Sequence, residues 1–429
     1  MTHDLALPPP EGRLRQSVRA LRHRNFRLLW AGQLARGIGS WMQNVAMPLL
    51  IVSLGGSAPE LGILAAVQFG PVLVLAPVGG VLADRLPKRR LIIGLQVLSA
   101  LQAAALTAIV ITGRAEVWSV LALAAVFGVV NSAEMPVRWA YVAELVDRED
   151  LPNAIALHSA AFNTTRVVGP AVAGMLIAFV STSSAFACAA AAAVLTAAMI
   201  TAIDPRRVRR SDSAPEASVA RSLTDGLRYA YREPLMRDSL MTLGVVSTLA
   251  MSFLALLPIY AVDLLGMDSL GYGALLTGMG IGAVLASIPM SIATLTCAHR
   301  LLVGVPLVLA LAVGLLTVVR VSWLAVLVMG VIGFFFMVAV SSINMTIQHG
   351  AVGAIRGRMV GLYIATLHGG TAVGGLAIGA LADTIGITPA MAAAAMTSAI
   401  FGALTGRGIA KRPITDRLVA KGLNVPRSR

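Results

Sequence analysis

Apolar runs long enough to cross a lipid bilayer recur along almost the whole of this chain, and no other feature restricts its possible folds so strongly. They lie at 27–54, 60–83, 91–112, 117–145, 153–180, 184–203, 237–262, 271–295, 301–319, 322–348, 358–382 and 388–408. A bilayer core about 30 Å thick takes roughly 20 residues of apolar helix, so the pattern predicts an all-α membrane protein with twelve transmembrane helices. Composition agrees: 57% of the 429 residues are hydrophobic, 13% are charged, and the mean hydropathy is +0.81. A soluble globular domain has no use for that much apolar surface.

The net charge of +14 invites a nucleic-acid reading, but the placement of Lys and Arg argues against it. With the amino terminus in the cytoplasm, Arg114 and Arg320 fall outside and Arg36, Arg138 and Arg166 deep within spans, leaving 29 of the 34 basic residues in cytoplasmic loops, tails and the cytoplasmic ends of spans. That asymmetry is an orientation signal, and an even number of spans puts both termini inside.

The organisation follows: a cytoplasmic amphipathic segment (1–26), six spans (27–203), a cytoplasmic linker (204–236), six more spans (237–408) and a basic tail (409–429). Leu14, Val18 and Leu21 among the arginines of 13–27 predict a helix lying on the membrane surface, and the segment has no separate apolar core like that of a cleaved signal. In the linker, Leu223, Leu227 and Tyr231 recur every four residues beside Arg221, Arg228 and Arg232. They predict either a second interfacial helix against anionic lipid or a plain tether. Cys188 and Cys297, the latter expected near the cytoplasmic end of the eighth span, have no metal-ligand neighbours, so no metal is expected. Glycine series such as 278–282 and 375–379 suit close helix packing in lipid, not nucleotide binding. With no phosphate-binding loop and no clustered His, neither an enzyme, a cofactor nor ATP drive is expected.

Several sequence words carry a sharper resemblance: Asn25-Phe26-Arg27-Leu28-Leu29-Trp30, Gly39-Ser40-Trp41-Met42-Gln43, the 80–90 loop, Met135-Pro136-Val137-Arg138, Leu151-Pro152-Asn153-Ala154, Asn163-Thr164-Thr165-Arg166 with Gly169-Pro170, and Arg356-Gly357-Arg358-Met359. Spread over most of the chain, they resemble the major facilitator superfamily, in particular its bacterial branch of drug and siderophore exporters. The resemblance implies the major facilitator fold, two six-helix bundles, and a secondary active exporter of the bacterial inner membrane. Such a protein moves small amphipathic, drug- or siderophore-like molecules in exchange for protons by alternating access. A lysolipid-flipping transporter of the same fold and, more remotely, a non-transporting membrane sensor are the rival readings.

In proteins of this kind the loop after the second span latches the two halves. Here the resemblance assigns that role to Gly80, Asp84, Arg85 and Arg89, with Arg85, Lys88, Arg89 and Arg90 either latch partners or only orientation signals: Gly80 permits close packing, and Asp84 suits a helix amino terminus, where unpaired N–H groups favour an anion. Pro87 stands where the superfamily pattern usually has Gly, and the matching loop of the second half, 296–300, lacks the acid.

Glu134 is the acid placed deepest within a span, and an intramembrane carboxylate needs a partner. Arg138 is one turn along the same helix. Arg166 on the next helix has similar depth, roughly 20 Å from the cytoplasmic end against roughly 16 Å for Glu134 at 1.5 Å per residue. The trio is either a proton-coupling group, protonated when isolated and ionised when a cation approaches, or a static ion pair. Arg36 contacts substrate, neutralises Glu134 or snorkels to the surface. Three buried cations against one buried acid favour an anionic cargo. Further cavity candidates are Trp41, Gln43, Asn44, Asn131, Asn163, Asn344 and Gln348.

Overall fold

The computed structural model describes residues 18–73, 75, 86–208, 219–351 and 355–410, and the chain in it is helical almost throughout. The helices are α1 (Arg24–Ser53), α2 (Ala58–Phe69), α3 (Lys88–Ile111), α4 (Val117–Glu144), α5 (Leu151–Phe179), α6 (Thr182–Thr201), α7 (Val219–Arg232), α8 (Pro234–Val245), α9 (Ser269–Ser291), α10 (Leu295–Val318), α11 (Ser322–Gly350), α12 (Arg356–Ile385) and α13 (Ile387–Ala410).

Ten helical segments among the described residues are long and apolar enough to cross a membrane. Helix α1 is long enough, but Arg24, Asn25, Arg27, Gln33, Arg36, Gln43 and Asn44 keep it less apolar; of the expected span 60–83, the part to Leu73 is apolar helix, and residues 74 and 76–85 lie outside the described residues. Most expected spans match within a few residues. The exceptions are informative. The expected 301–319 begins at Leu295, because the Thr294 side chain caps that helix by accepting from Cys297 N–H at 3.3 Å, so Cys297 sits in α10 and not at the end of the preceding span.

The expected 237–262 is not one regular helix. After α8 come a π-turn (Val246–Ala250), a 3-10 turn (Ser252–Ala255), a short helical stretch (Leu257–Ile259) and a second π-turn (Tyr260–Leu264). Pro258 has no N–H for the carbonyl one turn back, and Ser247 sends its hydroxyl to Leu243 O at 2.8 Å and Thr366 O at 3.1 Å, so the regular ladder gives way here.

Turns at one end of the molecule are tight. Gly113 and Gly386 take φ of 66° and 88°, letting α3 reverse into α4 and α12 into α13 within a few residues. Ser57 and Glu60 form a reciprocal cap at the start of α2, with Ser57 N–H donating to Glu60 Oε2 at 2.6 Å.

Contacts sort the long helices into a first set, α1–α6, and a second, α8–α13, joined along two seams. Helix α5 meets α9 and α2 meets α12, backbone against backbone. A Cβ added to Gly280 would lie 2.7 Å from the Arg166 carbonyl oxygen, and one added to Gly62 would lie 2.6 Å from that of Gly375. Only small residues allow such approach.

Residues 1–17 of the segment before α1, Leu14 among them, lie outside the described residues, and the rest is not the expected surface helix. The described part is a single 3-10 turn, Arg19–Arg22, with Ala20 fully buried and its N–H donating to Asn153 Oδ1 at 2.9 Å. The α4–α5 turn supplies the reason. Asp150, buried at the start of α5, takes Arg19 Nε at 2.6 Å, Arg22 Nη2 at 2.8 Å and His23 Nε2 at 2.7 Å. These cations are drawn to a protein carboxylate instead of lipid phosphate. His23, Asp147 and Asp150 also place one potential ligand atom each within 4.8 Å of one another, but two guanidinium groups already hold Asp150 and would repel a metal ion.

The hydrogen bond from His23, with Arg19 and Arg22 beside it, holds the Asp150 carboxyl below the usual carboxylate range. A depressed carboxyl favours the docked form above its ordinary value and loses that effect only as pH falls through the lowered one, so Asp150 is expected to hold the segment throughout about pH 5–8. Asp150→Asn is expected to expose Arg19 and Arg22 to trypsin. An unchanged cleavage rate would show that the carboxylate is not what docks the segment.

In the linker, Gly226 faces Arg358 and Leu362 of α12 and Ala230 is buried, while Leu227 and Tyr231 are exposed beside Arg228 and Arg232. The side chains of Arg221 and Leu223 lie outside the description.

Candidate functional site

Three helices of the first set converge on Glu134, which is 1% exposed. From α4 itself, Arg138 donates Nε to Glu134 Oε1 at 3.0 Å and brings Nη2 still closer to the same oxygen. From α1, Arg36 donates Nε to Glu134 Oε2 at 2.6 Å and Nη2 to Asn131 Oδ1 at 2.5 Å. From α3, Gln96 donates Nε2 to Glu134 Oε1 at 2.8 Å. Asn131 is itself held by donating Nδ2 to Phe127 O at 3.0 Å.

The local sequence explains the assembly. Glu134, Arg138 and Asn131 share one face of α4 by their spacing of three and four. Ser132 bends its hydroxyl back to Gly128 O at 2.7 Å, and Pro136 removes the N–H that would otherwise serve the Ser132 carbonyl. Gly39 lets α1 lie close to Ala189 and Ala192 of α6, since a Cβ there would sit 2.9 Å from the Ala192 side chain. The charged side chains of α1 and α4 then meet inside the set.

One carboxylate between two guanidinium groups leaves the cluster with one net positive charge. All three ions are largely taken out of water, so the arrangement persists only because each carboxylate oxygen is hydrogen-bonded; removing Glu134 would leave both arginines without a counter-charge. Beside the cluster is a polar recess lined by Arg36, Ser40, Gln43, Gln96, Ser99 and Asn131 together with small residues of α6.

The structure shows which of these groups touch. Arg36 neutralises Glu134, and Arg138 makes the i,i+4 pair. Arg166 does not join them: its carbonyl packs against Gly280, and its partly buried side chain makes no ion pair or hydrogen bond among the described residues. Gln43 and Asn131 line the recess, but the other cavity candidates lie apart from it. Trp41 packs against Gly169 of α5, Asn44 donates to Ser40 O at 2.9 Å, Asn163 is partly buried on α5, and Asn344 pairs with Gln348 on α11. Gln96 went unnoticed in the sequence. Its one signal was an amide within a predicted span, which it shares with Gln102 of the same run.

Of the latch residues, Gly80, Asp84 and Arg85 lie outside the described residues. Arg89 donates Nε to Ile200 O at 3.2 Å and Nη2 to Thr201 O at 2.5 Å, so it caps the last turn of α6 within its own set. A cation there also suits the negative end of the helix dipole. Lys88 similarly ties α3 to Glu144 of α4 at 2.7 Å. Of the histidines, His158 lies edge-on to Trp139 with ring centroids 4.6 Å apart, while His368 stacks on Phe69 at 5.9 Å across the α2–α12 seam.

A multi-pass helical membrane protein built from two sets of helices that meet along glycine seams has the architecture of a solute transporter. The chain belongs to the transmembrane secretion effector family of major facilitator transporters, which it matches over residues 16–416. Among its relatives, the multidrug efflux pump Tap of Mycolicibacterium fortuitum is 25% identical over 398 residues, covering 87% of this chain and 93% of that one. The enterobactin exporter EntS of Escherichia coli is 24% identical over 80% of this chain and 82% of its own length. The uncharacterized MFS-type transporter YfiS of Bacillus subtilis is 28% identical over 51% of this chain, and the match spans about half of YfiS, 52%. Among solved structures, a bacterial homologue of the human lysosomal transporter Spinster, inward-facing and unoccupied, superposes with a TM-score of 0.69 over 91% of this chain and 98% of its own. The nucleoside transporter NupG gives 0.68 over 90% and 99%. Both are 12% identical and carry the fold alone.

Proposed function

We propose that this chain is a secondary active exporter of small amphipathic molecules in a bacterial inner membrane, coupled to proton antiport. The observation that carries the reading is Glu134, a buried carboxylate held at 2.6 Å by Arg36 from a different helix. Protonating that carboxylate removes its charge attraction for Arg36 and weakens the tie between α1 and α4, leaving the Arg36–Asn131 hydrogen bond; ionising it restores the full tie. A titratable joint between two helices of one bundle is what proton-driven alternation of access requires.

The ten apolar helices together with α1 and α2 make the twelve spans of two six-helix bundles, with both termini in the cytoplasm. The seams involve Ala58, Gly62 and Gly379 on one side and Gly174 and Gly273 on the other, residues near the turns assigned to the outside, so the state described is closed externally. Drug and siderophore exporters among the relatives support efflux as the direction. With Arg36 and Arg138 compensated only in part, and Arg166 not at all among the described residues, an anionic cargo such as a catecholate siderophore fits better than a cationic dye.

Purified protein in vesicles with an imposed pH gradient tests this against a panel of macrolide, catecholate, cationic dye and lysolipid. Gradient-dependent movement of a macrolide or catecholate is expected; movement of lysolipid alone, or of nothing, would overturn the reading. Reporter fusions at Ser213 and after Arg429 are expected to read cytoplasmic, and one near Ser57 external. A cytoplasmic signal near Ser57 would refute the twelve-span topology.

A further inference from the structure

Two buried amide oxygens line the recess beside Glu134 with no donor to satisfy them. Gln96 gives its Nε2 hydrogen to the carboxylate at 2.8 Å, which fixes the amide's orientation and leaves its Oε1 as an acceptor. Among the described residues that oxygen has no hydrogen-bond partner, and neither has Gln43 Oε1, although the two residues are only 1% and 2% exposed. Buried acceptors are nearly always paired, because leaving one unmatched forfeits its bond with water. The recess they line also presents the guanidinium of Arg36 and the hydroxyls of Ser40 and Ser99, and it has room for one water-sized molecule.

The chemistry of the lining selects the occupant. Two carbonyl oxygens demand two donated hydrogens, and a guanidinium demands an acceptor. An anion has no hydrogen to give to the amides, and Arg36 and Arg138 repel a metal cation. Water alone among small solutes meets all of these demands with two to four bonds.

We propose that this recess binds one water molecule between Gln43 and Gln96, and that this water delivers the proton to Glu134; the second half rests on the proton-coupled reading above. As the bond from Arg36 Nε opens, the water takes a proton from the cavity side and passes one of its own hydrogens to Glu134 Oε2. One O–H bond forms on the carboxyl as one breaks on the water, which is left neutral and in place. Gln43 is then a positioning residue for proton transfer and not a cargo contact, and Gln96 both orients the carboxylate and holds the water.

Two measurements on the full chain separate the halves. Radiolytic hydroxyl labelling read by mass spectrometry marks residues beside a bound water even when they are buried. Label is expected around 40–43 and 96–99 in the wild type, lost in Gln43→Leu and retained in Gln43→Asn, which keeps an amide oxygen. Absence of label in the wild type overturns the water site. In vesicles, Gln43→Leu is expected to slow proton uptake about tenfold or more, with Gln43→Asn closer to wild type. Uptake by Gln43→Leu at the wild-type rate overturns the delivery role. If wild-type vesicles move cargo without moving protons, it is the antiport reading that fails, and the labelling still decides whether the water is bound. Labelling of Gln43→Asn as well as of the wild type guards against reading a misfolded Gln43→Leu as a lost site.

Discussion

Glu134→Gln is expected to reduce pH-gradient-driven export by about a hundredfold or more, a loss of roughly 2.7 kcal/mol or more in the driven step. The substitution keeps the shape of the side chain but cannot exchange a proton. It also leaves Arg36 and Arg138 buried without a counter-charge, and breaking a buried pair in this way costs about 3–5 kcal/mol. Stability and coupling are separable. Glu134→Gln with Arg138→Gln removes one of the two stranded cations, so it is expected to melt closer to wild type while remaining uncoupled. The arginines are predicted to rank unequally: Arg36→Ala cuts the only tie from α1 to the carboxylate, whereas Arg166→Ala removes a side chain that touches no acid and has the milder effect on coupling. Full gradient-driven export by Glu134→Gln would reduce Glu134 to a packing partner.

The second large effect is expected at Gly282. Helices α9 and α11 touch through their main chains, and a Cβ on Gly282 would lie 1.8 Å from the Gly330 carbonyl oxygen and 2.9 Å from Phe334 N. Gly333 returns the contact, its Cβ position 2.0 Å from Met279 O. No rotamer change relieves a clash between backbones, so Gly282→Val must force the helices apart. The amount of folded protein in the membrane is expected to fall about tenfold, measured by fluorescence-detected size exclusion. Gly304→Ala is the control: nothing lies within 4 Å of its Cβ position, and the change is expected to stabilise that helix by about 0.5–1 kcal/mol. Equal yields of the two variants would mean that the α9–α11 contact is looser than described.

Helix existence was legible in this chain because burial in lipid writes itself into composition over twenty residues at a time. The runs 117–145 and 322–348 correspond closely to Val117–Glu144 and Ser322–Gly350. The irregular stretch from Val246 to Leu264 was only partly legible: Pro258 marks a break, but the wider turns also depend on packing against Thr366, which is remote in sequence. The same limit governed the site. Arg138 was found because spacing on one helix is fixed by geometry. The choice between Arg36 and Arg166 depended on which helix lies beside α4, and depth along the membrane does not report that. Gln96 was missed for want of charge: the cost of a buried carboxylate directs attention to cations, while a neutral amide on α3 supplies a bond of 2.8 Å. The docked turn at Arg19–Arg22 was misread as lipid-facing since Asp150 is remote in sequence.

Helix α9 has glycine on two sides: Gly273 and Gly280 toward α5, Gly278 and Gly282 toward α11. In most cores a shift of one helix is partly absorbed by side chains that change rotamer before the next helix feels it. Here main chain bears on main chain at both surfaces, so α9 acts as an incompressible spacer with no slack. A displacement of α5, the helix that carries Arg166, is thus expected to reach α11 through α9 by direct contact of main chains.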